Sequence, residues 1–390
     1  MKLFDEIIRK DTRPARYAEP MFVYLNTTAR PEFEKIRNLL EKWFERFPCE
    51  KQADLKGRFR SKDDRIHLSA FFELYLHALL LKAGFTVEVE PPARDKPTRP
   101  DYKVVKNGKP IFYLEATLVS WSDEEGSVRA REHQVYDILN KMNSPNFFIG
   151  IKVHSVSNVS PPAAKIRQFV KHKLDELDPD RIMEQYNKYG IEALPHWDWK
   201  RDGWHITVYP IPKKPKARGK SGVRPIGIQT CIRFITPHVR IREAIRDKAT
   251  KYGRLDLPYI VAINIVDIFG ADEDDIIRAL FGEKQYTLTL CGNKKVAEIK
   301  LKPNGVWYGP NGPRNRRVSG VLIAVRLYPE RIAKVTPVLW HNPWAYYQLS
   351  PNVWPLPQLA WDPTVKLAKY SGRDAWQLLG LHPNWPNIRS

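Results

Sequence analysis

Cysteine is scarce. The chain has three in 390 residues, Cys49, Cys231 and Cys291, far apart and with no CxxC pair. That excludes a zinc ribbon and a disulfide framework, and a reducing compartment is expected. The ten histidines form no HxxxH pair, so no zinc site is expected either. No stretch approaches the roughly 18 consecutive apolar residues that a membrane helix needs. The opening residues, MKLFDEIIRKDTRPARYAEP, lack the apolar core of a secretory signal. A soluble cytoplasmic protein with no membrane partner is therefore expected. GxxxxGK[ST], dinucleotide-type glycine fingerprints and GxSxG are absent. Their absence argues against a Walker-type nucleotide hydrolase, a dinucleotide enzyme and a serine hydrolase.

Negative charge is in short supply. Asp and Glu number 44 against 64 Lys and Arg, leaving a formal net charge of +20. Such a surplus points to a polyanionic partner, most commonly nucleic acid. Hydrophobic residues make up 43% of the chain, which fits a folded protein, and its length fits two or three packed units.

Residues 31–47 read as an amphipathic helix, and 48–64 as a basic linker. Residues 65–83, RIHLSAFFELYLHALLLKA, are apolar almost all round and predict a buried helix, capped by Asp63 or Asp64 and ended by Gly84. A strand at 85–90 follows. Strands at 101–106 and 110–119 flank Asn107-Gly108, a hairpin signal. A helix at 126–142, a strand at 146–156 and a helix at 161–177 complete a mixed α/β unit with a central sheet. Later come strands at 203–212 and 258–267 and helices at 239–253 and 272–282. Beyond residue 283 the chain reads as strands and loops, with a last helix near 373–380.

The hairpin poses the chemical question. Asp101 opens it, and Glu115 sits among apolar neighbours in FYLEATL. Glu73 lies in the apolar helix. A carboxylate in such a place is costly unless it is paired or binds a cation. Carboxylate oxygens suit Mg²⁺ or Mn²⁺, which take a few protein ligands plus water and phosphate. A strict two-residue turn pairs Lys106 with Lys109 and puts Asp101 opposite Leu114, so the two acids would face opposite sides. An odd loop or one bulge puts both on one face. The acid-pair reading therefore predicts an irregularity in the hairpin. The simpler roles are a turn residue for Asp101, an edge charge for Glu115, and a pairing of Glu73 with His77 one helical turn on.

Pro100-Asp101 followed by Glu115-Ala116-Thr117, with Glu73 on the preceding helix, resembles the PD-(D/E)xK nuclease superfamily over roughly residues 65–155. The resemblance implies an α/β restriction-endonuclease-like core, a mixed central sheet flanked by helices, with an additional α+β region after it. It divides the chain into a helical extension at 1–60, a nuclease-like core at 61–180 and a C-terminal region at 181–390. It implies that Asp101 and Glu115 bind Mg²⁺ or Mn²⁺ and that Glu73 supports the metal or a water. It also implies DNA endonuclease activity, in a restriction or anti-phage setting. Thr117 stands where the family has the lysine that orients the attacking water. Three accounts remain open: another lysine, Lys152 or Lys248, reaches the site; the threonine suffices; or the core binds without cutting.

DNA is the expected partner, with RNA also open, and a partner protein or a homodimer would suit the class. The competing reading is an inactive nuclease-like DNA-binding or assembly module. A sensor of a nucleotide signal is a third, weakened by the lack of a phosphate-binding glycine loop. The basic loops at 213–224 and 309–320 suit phosphate contact or plain solvation. Trp197, Trp199 and Trp204 suit core packing better than base stacking.

Overall fold

The computed structural model describes all residues except 93–97, 221–223, 232–235, 254, 267–270, 292–293, 363–365 and 388–390. The chain begins with helices α1 (Met21–Thr27), α2 (Pro31–Phe44), α3 (Cys49–Phe59) and α4 (Asp64–Lys82). The third corrects the expected linker. Gln52, Leu55 and Phe59 recur at helical spacing and are buried, so a polar, basic segment still has an inner face. In α4, the Asp63 carboxylate accepts from the Arg65 N–H at the N-terminus. Twelve of its 19 residues are buried, because α1, α2 and α3 pack on it and strands lie across it.

Those strands are β1 (Thr86–Val89), β2 (Tyr102–Lys106) and β3 (Lys109–Val119), an antiparallel run. Asn107 and Gly108 both have positive φ, 51° and 74°, as a tight two-residue hairpin turn requires. Lys106 pairs with Lys109 and Val105 with Pro110, after which the register slips and Val104 pairs with Phe112. Ile111 is thus the extra residue of a bulge. Its neighbour Pro110 has no N–H to give the ladder, and bulges are where strands tolerate proline.

The chain then enters a separate compact unit, formed by 121–235 together with 14–19. It contains α5 (Asp123–Asn140), β4 (Phe147–Ser155), α6 (Ala163–Asp175), α7 (Pro179–Tyr189), β5 (Trp197–Arg201), β6 (Trp204–Pro212) and β7 (Ile226–Cys231). Its four strands run in the order β5-β6-β4-β7. Ile149, Ile151 and Val153 of β4 pack with Val135 and Leu139 of α5, Ile166 and Val170 of α6, and Trp199 and Trp204. Asp137 accepts from the N–H groups of Tyr17 and Ala18, which ties residues 14–19 to this unit.

Back in the first unit come α8 (Pro237–Ala249), β8 (Tyr259–Ile265), α9 (Glu273–Leu280), β9 (Lys284–Cys291), β10 (Lys294–Leu301), β11 (Tyr308–Gly309), β12 (Gly312–Pro313), β13 (Gly320–Val325), β14 (Val338–His341), β15 (Gln358–Asp362), β16 (Lys366–Tyr370) and α10 (Ala375–Leu379). An eight-stranded mixed sheet runs β1-β2-β3-β8-β13-β14-β15-β16. β8 lies parallel to both β3 and β13 and is buried along its whole length, as its run YIVAINI requires; its Asn264 side chain donates to the Leu327 carbonyl. One face of the sheet carries α4. On the other, Ile241, Ile245 and Ala249 of α8 and Ile276, Ala279 and Leu280 of α9 pack on Val119, Val261 and Ile263.

The structure is therefore mixed α/β with a large sheet flanked by helices. Its units do not follow the expected cuts at 60/61 and 180/181. Residues 1–13 and 20–120 pack with 236–390, because α3 docks on α4 and β3 takes its parallel neighbour from β8. The helix at 126–142 and the strand at 146–156, expected to finish the central sheet, build the second unit instead. Their places beside β3 go to α8 and β8.

Candidate active site

Everything turns on the bulge. Beyond it Tyr102 pairs with Leu114, so Asp101 stands at the level of Glu115. The Ala116 N–H donates to Asp101 Oδ2 at 2.7 Å, and the Asp101 N–H donates to Glu115 Oε2 at 3.3 Å. The irregularity that the acid pair demanded is present.

Glu115 is 1% exposed. It lies on the β3 face that also carries Tyr113 and Val119, the face covered by α8. Lys248 Nζ donates to Glu115 Oε1 at 2.8 Å, Lys251 Nζ donates to the same oxygen at 2.7 Å, and the Tyr252 hydroxyl donates to Oε2. A carboxylate buried by an apolar strand is thus answered by the end of one helix and the turn after it. Lys251 has its pKa raised: burial opposes the charge, but the hydrogen bond and attraction to Glu115 outweigh it. Burial and the neighbouring Glu115 push the Tyr252 phenol well up, so it stays a donor.

Among the described residues, no hydrogen bond or ion pair joins Asp101 to a cation. Burial, then repulsion from Glu115 and from Glu73, push its carboxyl up to about 8, against the pull of the Ala116 N–H and Lys248. A pair of acids in which one holds its proton near neutrality is a site short of positive charge.

Glu73 does reach this neighbourhood, but its partner is not His77. Arg58 of α3 grips it with two bonds of 2.6 and 2.8 Å. His77 instead packs its ring on Phe47 and Tyr102. A small cleft between α3 and the hairpin is lined by Lys51, Arg58, Glu73, Glu90 and Asp101. Thr117 is half-buried two residues beyond Glu115 on the same strand face. Of the two lysines proposed to replace the motif lysine, Lys248 contacts Glu115, while Lys152 lies on β4 of the second unit. Lys251, Tyr252 and Arg58 were missed. The spacing KATKY marks the first two only once the helix is known to face Glu115.

The basic loops carry less free charge than their sequences suggest. Lys213 is buried, donates to the Ser144 carbonyl and lies over the Phe148 ring. Arg218 pairs with Asp180, and Arg224 bonds the Ala15 carbonyl. Arg314 bonds the Gly305 carbonyl. Lys214, Lys216, Lys220 and Arg317 remain exposed. Trp199 and Trp204 are buried in the second unit's core, as packing requires.

One histidine cluster lies outside what residue spacing could show. His154, Asp198 and His205 offer ligand atoms that all lie within 4.8 Å of one another. An HxxxH search cannot find them, because they meet across strands and not along a helix.

Comparison with family models, with curated proteins and with solved structures returns no match. Among the described residues, no helix is long and apolar enough to cross a membrane.

Proposed function

We propose that this protein is a divalent-metal-dependent nuclease of the restriction-endonuclease-like fold, hydrolysing phosphodiester bonds in DNA. The observation that carries the reading is the pairing of Asp101 with Glu115 across a bulge, with Lys248 on Glu115. With the second unit at 121–235 set aside as an insertion, the first unit runs α4, β1, β2, β3, α8, β8 with β8 parallel to β3, a helix, three-strand, helix, strand order that supports the reading. The net charge of +20 suits a phosphate-backbone substrate.

The residues fit a hard dication. Asp101 and Glu115 offer oxygen donors, and the proton that Asp101 keeps to about pH 8 is one a metal would displace. Mg²⁺ or Mn²⁺ bound there would activate water and stabilise the charge that builds on the phosphorane. Asp101 and Glu115 would hold the ion, and Glu73, fixed by Arg58, adds negative potential beside Asp101. Lys248 and Lys251 carry the positive charge that Thr117 cannot. As ammonium groups they orient a water and favour hydroxide, but they do not abstract a proton. Tyr252 stays protonated and holds Glu115 in one orientation.

One observation favours the inactive-module reading: both oxygens of Glu115 are already occupied by Lys248, Lys251 and Tyr252. Cleavage of supercoiled plasmid with Mg²⁺ or Mn²⁺ separates the two. The nuclease reading expects the wild type to nick or linearise DNA, and Asp101→Ala and Glu115→Ala to do neither. A wild type that retards DNA in a gel yet cuts with neither metal would make the core a binding scaffold.

A further inference from the structure

The geometry points to a second metal site in the unit formed by 121–235 and 14–19, built on His154, Asp198 and His205 for a Zn²⁺-class transition-metal dication. The inference is independent of the nuclease reading.

The strands bring these residues together for a specific reason. Regular pairing of β4 with β6 matches Val153 with Ile206, but Ser155 and not His154 then pairs with His205. His154 is the extra residue of a bulge, and a bulge re-aims a side chain. Its ring lies against that of His205, with centroids 4.2 Å apart and planes within 18°. On the other side of β6, Asp198 pairs with Thr207 and Lys200 with His205, so Asp198 shares the face of His205. Three neighbouring strands therefore each contribute one ligand.

The spacing of His205 and Asp198 is one that a shared metal would give. His205 Nε2 lies 3.3 Å from Asp198 Oδ2. Metal–ligand bonds of about 2.0–2.2 Å in a tetrahedron place neighbouring ligand atoms about 3.3 Å apart. Yet His205 Nε2 is buried and makes no hydrogen bond, so the pair is close but misaligned for one. The Thr207 hydroxyl donates to Asp198 Oδ1 at 2.5 Å and lies 2.8 Å from His154 Nε2. Such outer contacts orient ligands before metal arrives. Lys200 Nζ, 3.7 Å from Asp198 Oδ2, is the one neighbouring cation paired with this carboxylate among the described residues.

Two imidazoles and one carboxylate select Zn²⁺, Co²⁺ or Ni²⁺ over Mg²⁺, which prefers oxygen alone. His154 and Asp198 are exposed, so water completes the coordination. The ion would tie the sheet-edge strand β5 to β4 across β6.

The test is Zn²⁺ binding by the full-length chain, read as metal per chain after dialysis in excess Mg²⁺, and as the visible spectrum with Co²⁺. The expected result is one equivalent in the wild type and in Glu115→Ala, none in His205→Ala, and at least a tenfold weaker affinity in His154→Gln. His154 is exposed, so that variant keeps its fold, which circular dichroism verifies. Zn²⁺ should also raise the unfolding temperature of the wild type and not of His154→Gln. A wild type that binds no Zn²⁺, or a His154→Gln protein that binds it unchanged, overturns the proposal.

Discussion

Strand β3 and the 213–224 loop both carry conspicuous charge, and the fold uses the two differently. In β3 a single carboxylate, 1% exposed, draws two lysines and a tyrosine from the α8 region, while the acid beside it has no cation bonded to it among the described residues. In the loop, a run of lysines and arginines divides into groups that hold the second unit together and groups that stay in water. Lys213 and Arg218 bond backbone carbonyls and Arg218 also pairs with Asp180, whereas Lys214 and Lys216 are exposed. Burying a charge costs free energy, so a charge in an apolar run reports on its surroundings. A charge in a loop costs little either way and reports almost nothing.

The largest expected effect separates these regions. Glu115→Gln removes the counter-charge of Lys248 and Lys251 and, on the nuclease proposal, one ligand of the metal. Plasmid cleavage should fall by more than about a hundredfold. The first unit should lose about 2 kcal/mol, less than for a fully buried pair because both lysines keep some solvent. Urea unfolding at fixed pH measures the second quantity; an unchanged midpoint would mean that the network is ornamental.

Next comes the pH dependence of the metal-free protein. Asp101 releases its proton near pH 3.8 when unfolded and near 8 when folded. Between those values the native state holds a proton that the unfolded state has lost. Stability of the first unit should therefore fall as pH rises from about 4 to about 8, and level off above. Asp101→Asn should remove that slope, and unfolding midpoints across the range would reveal it. A slope kept in the variant would assign the effect elsewhere.

The smallest effect tests the loop. Arg218→Ala should cost the second unit about 1 kcal/mol through its lost bonds and leave DNA affinity nearly unchanged. Lys216→Ala should do the reverse: stability unchanged, with the salt dependence of DNA binding reduced by about one unit of slope. Equal effects from both would erase the distinction.

What the sequence disclosed follows the same division. The α4 helix, the Asn107-Gly108 turn and the pairing of Asp101 with Glu115 were legible, because burial and backbone geometry act locally there. Requiring two acids on one face left an odd loop or a bulge open, and the structure has the bulge. The membership of the sheet was not legible. Residues 126–156 look as good a helix and strand as 237–265 do, and only long-range pairing decides which pair lies beside β3. Lys251 and Tyr252 were invisible for that reason, since nothing near them in sequence says that they meet a carboxylate at 115. The histidine cluster was hidden likewise, because strands and not a helix assemble it.

The central claim is that the α8 region supplies the positive charge that Thr117 lacks, and relocating that charge tests it most directly. The rate of Mg²⁺- or Mn²⁺-dependent plasmid cleavage would be measured for wild type, for Lys248→Gln with Lys251→Gln, and for that double variant carrying Thr117→Lys. The account predicts that cleavage is lost in the double variant, by at least about a hundredfold, and partly regained when lysine stands at 117. A double variant that cuts as fast as the wild type would contradict it.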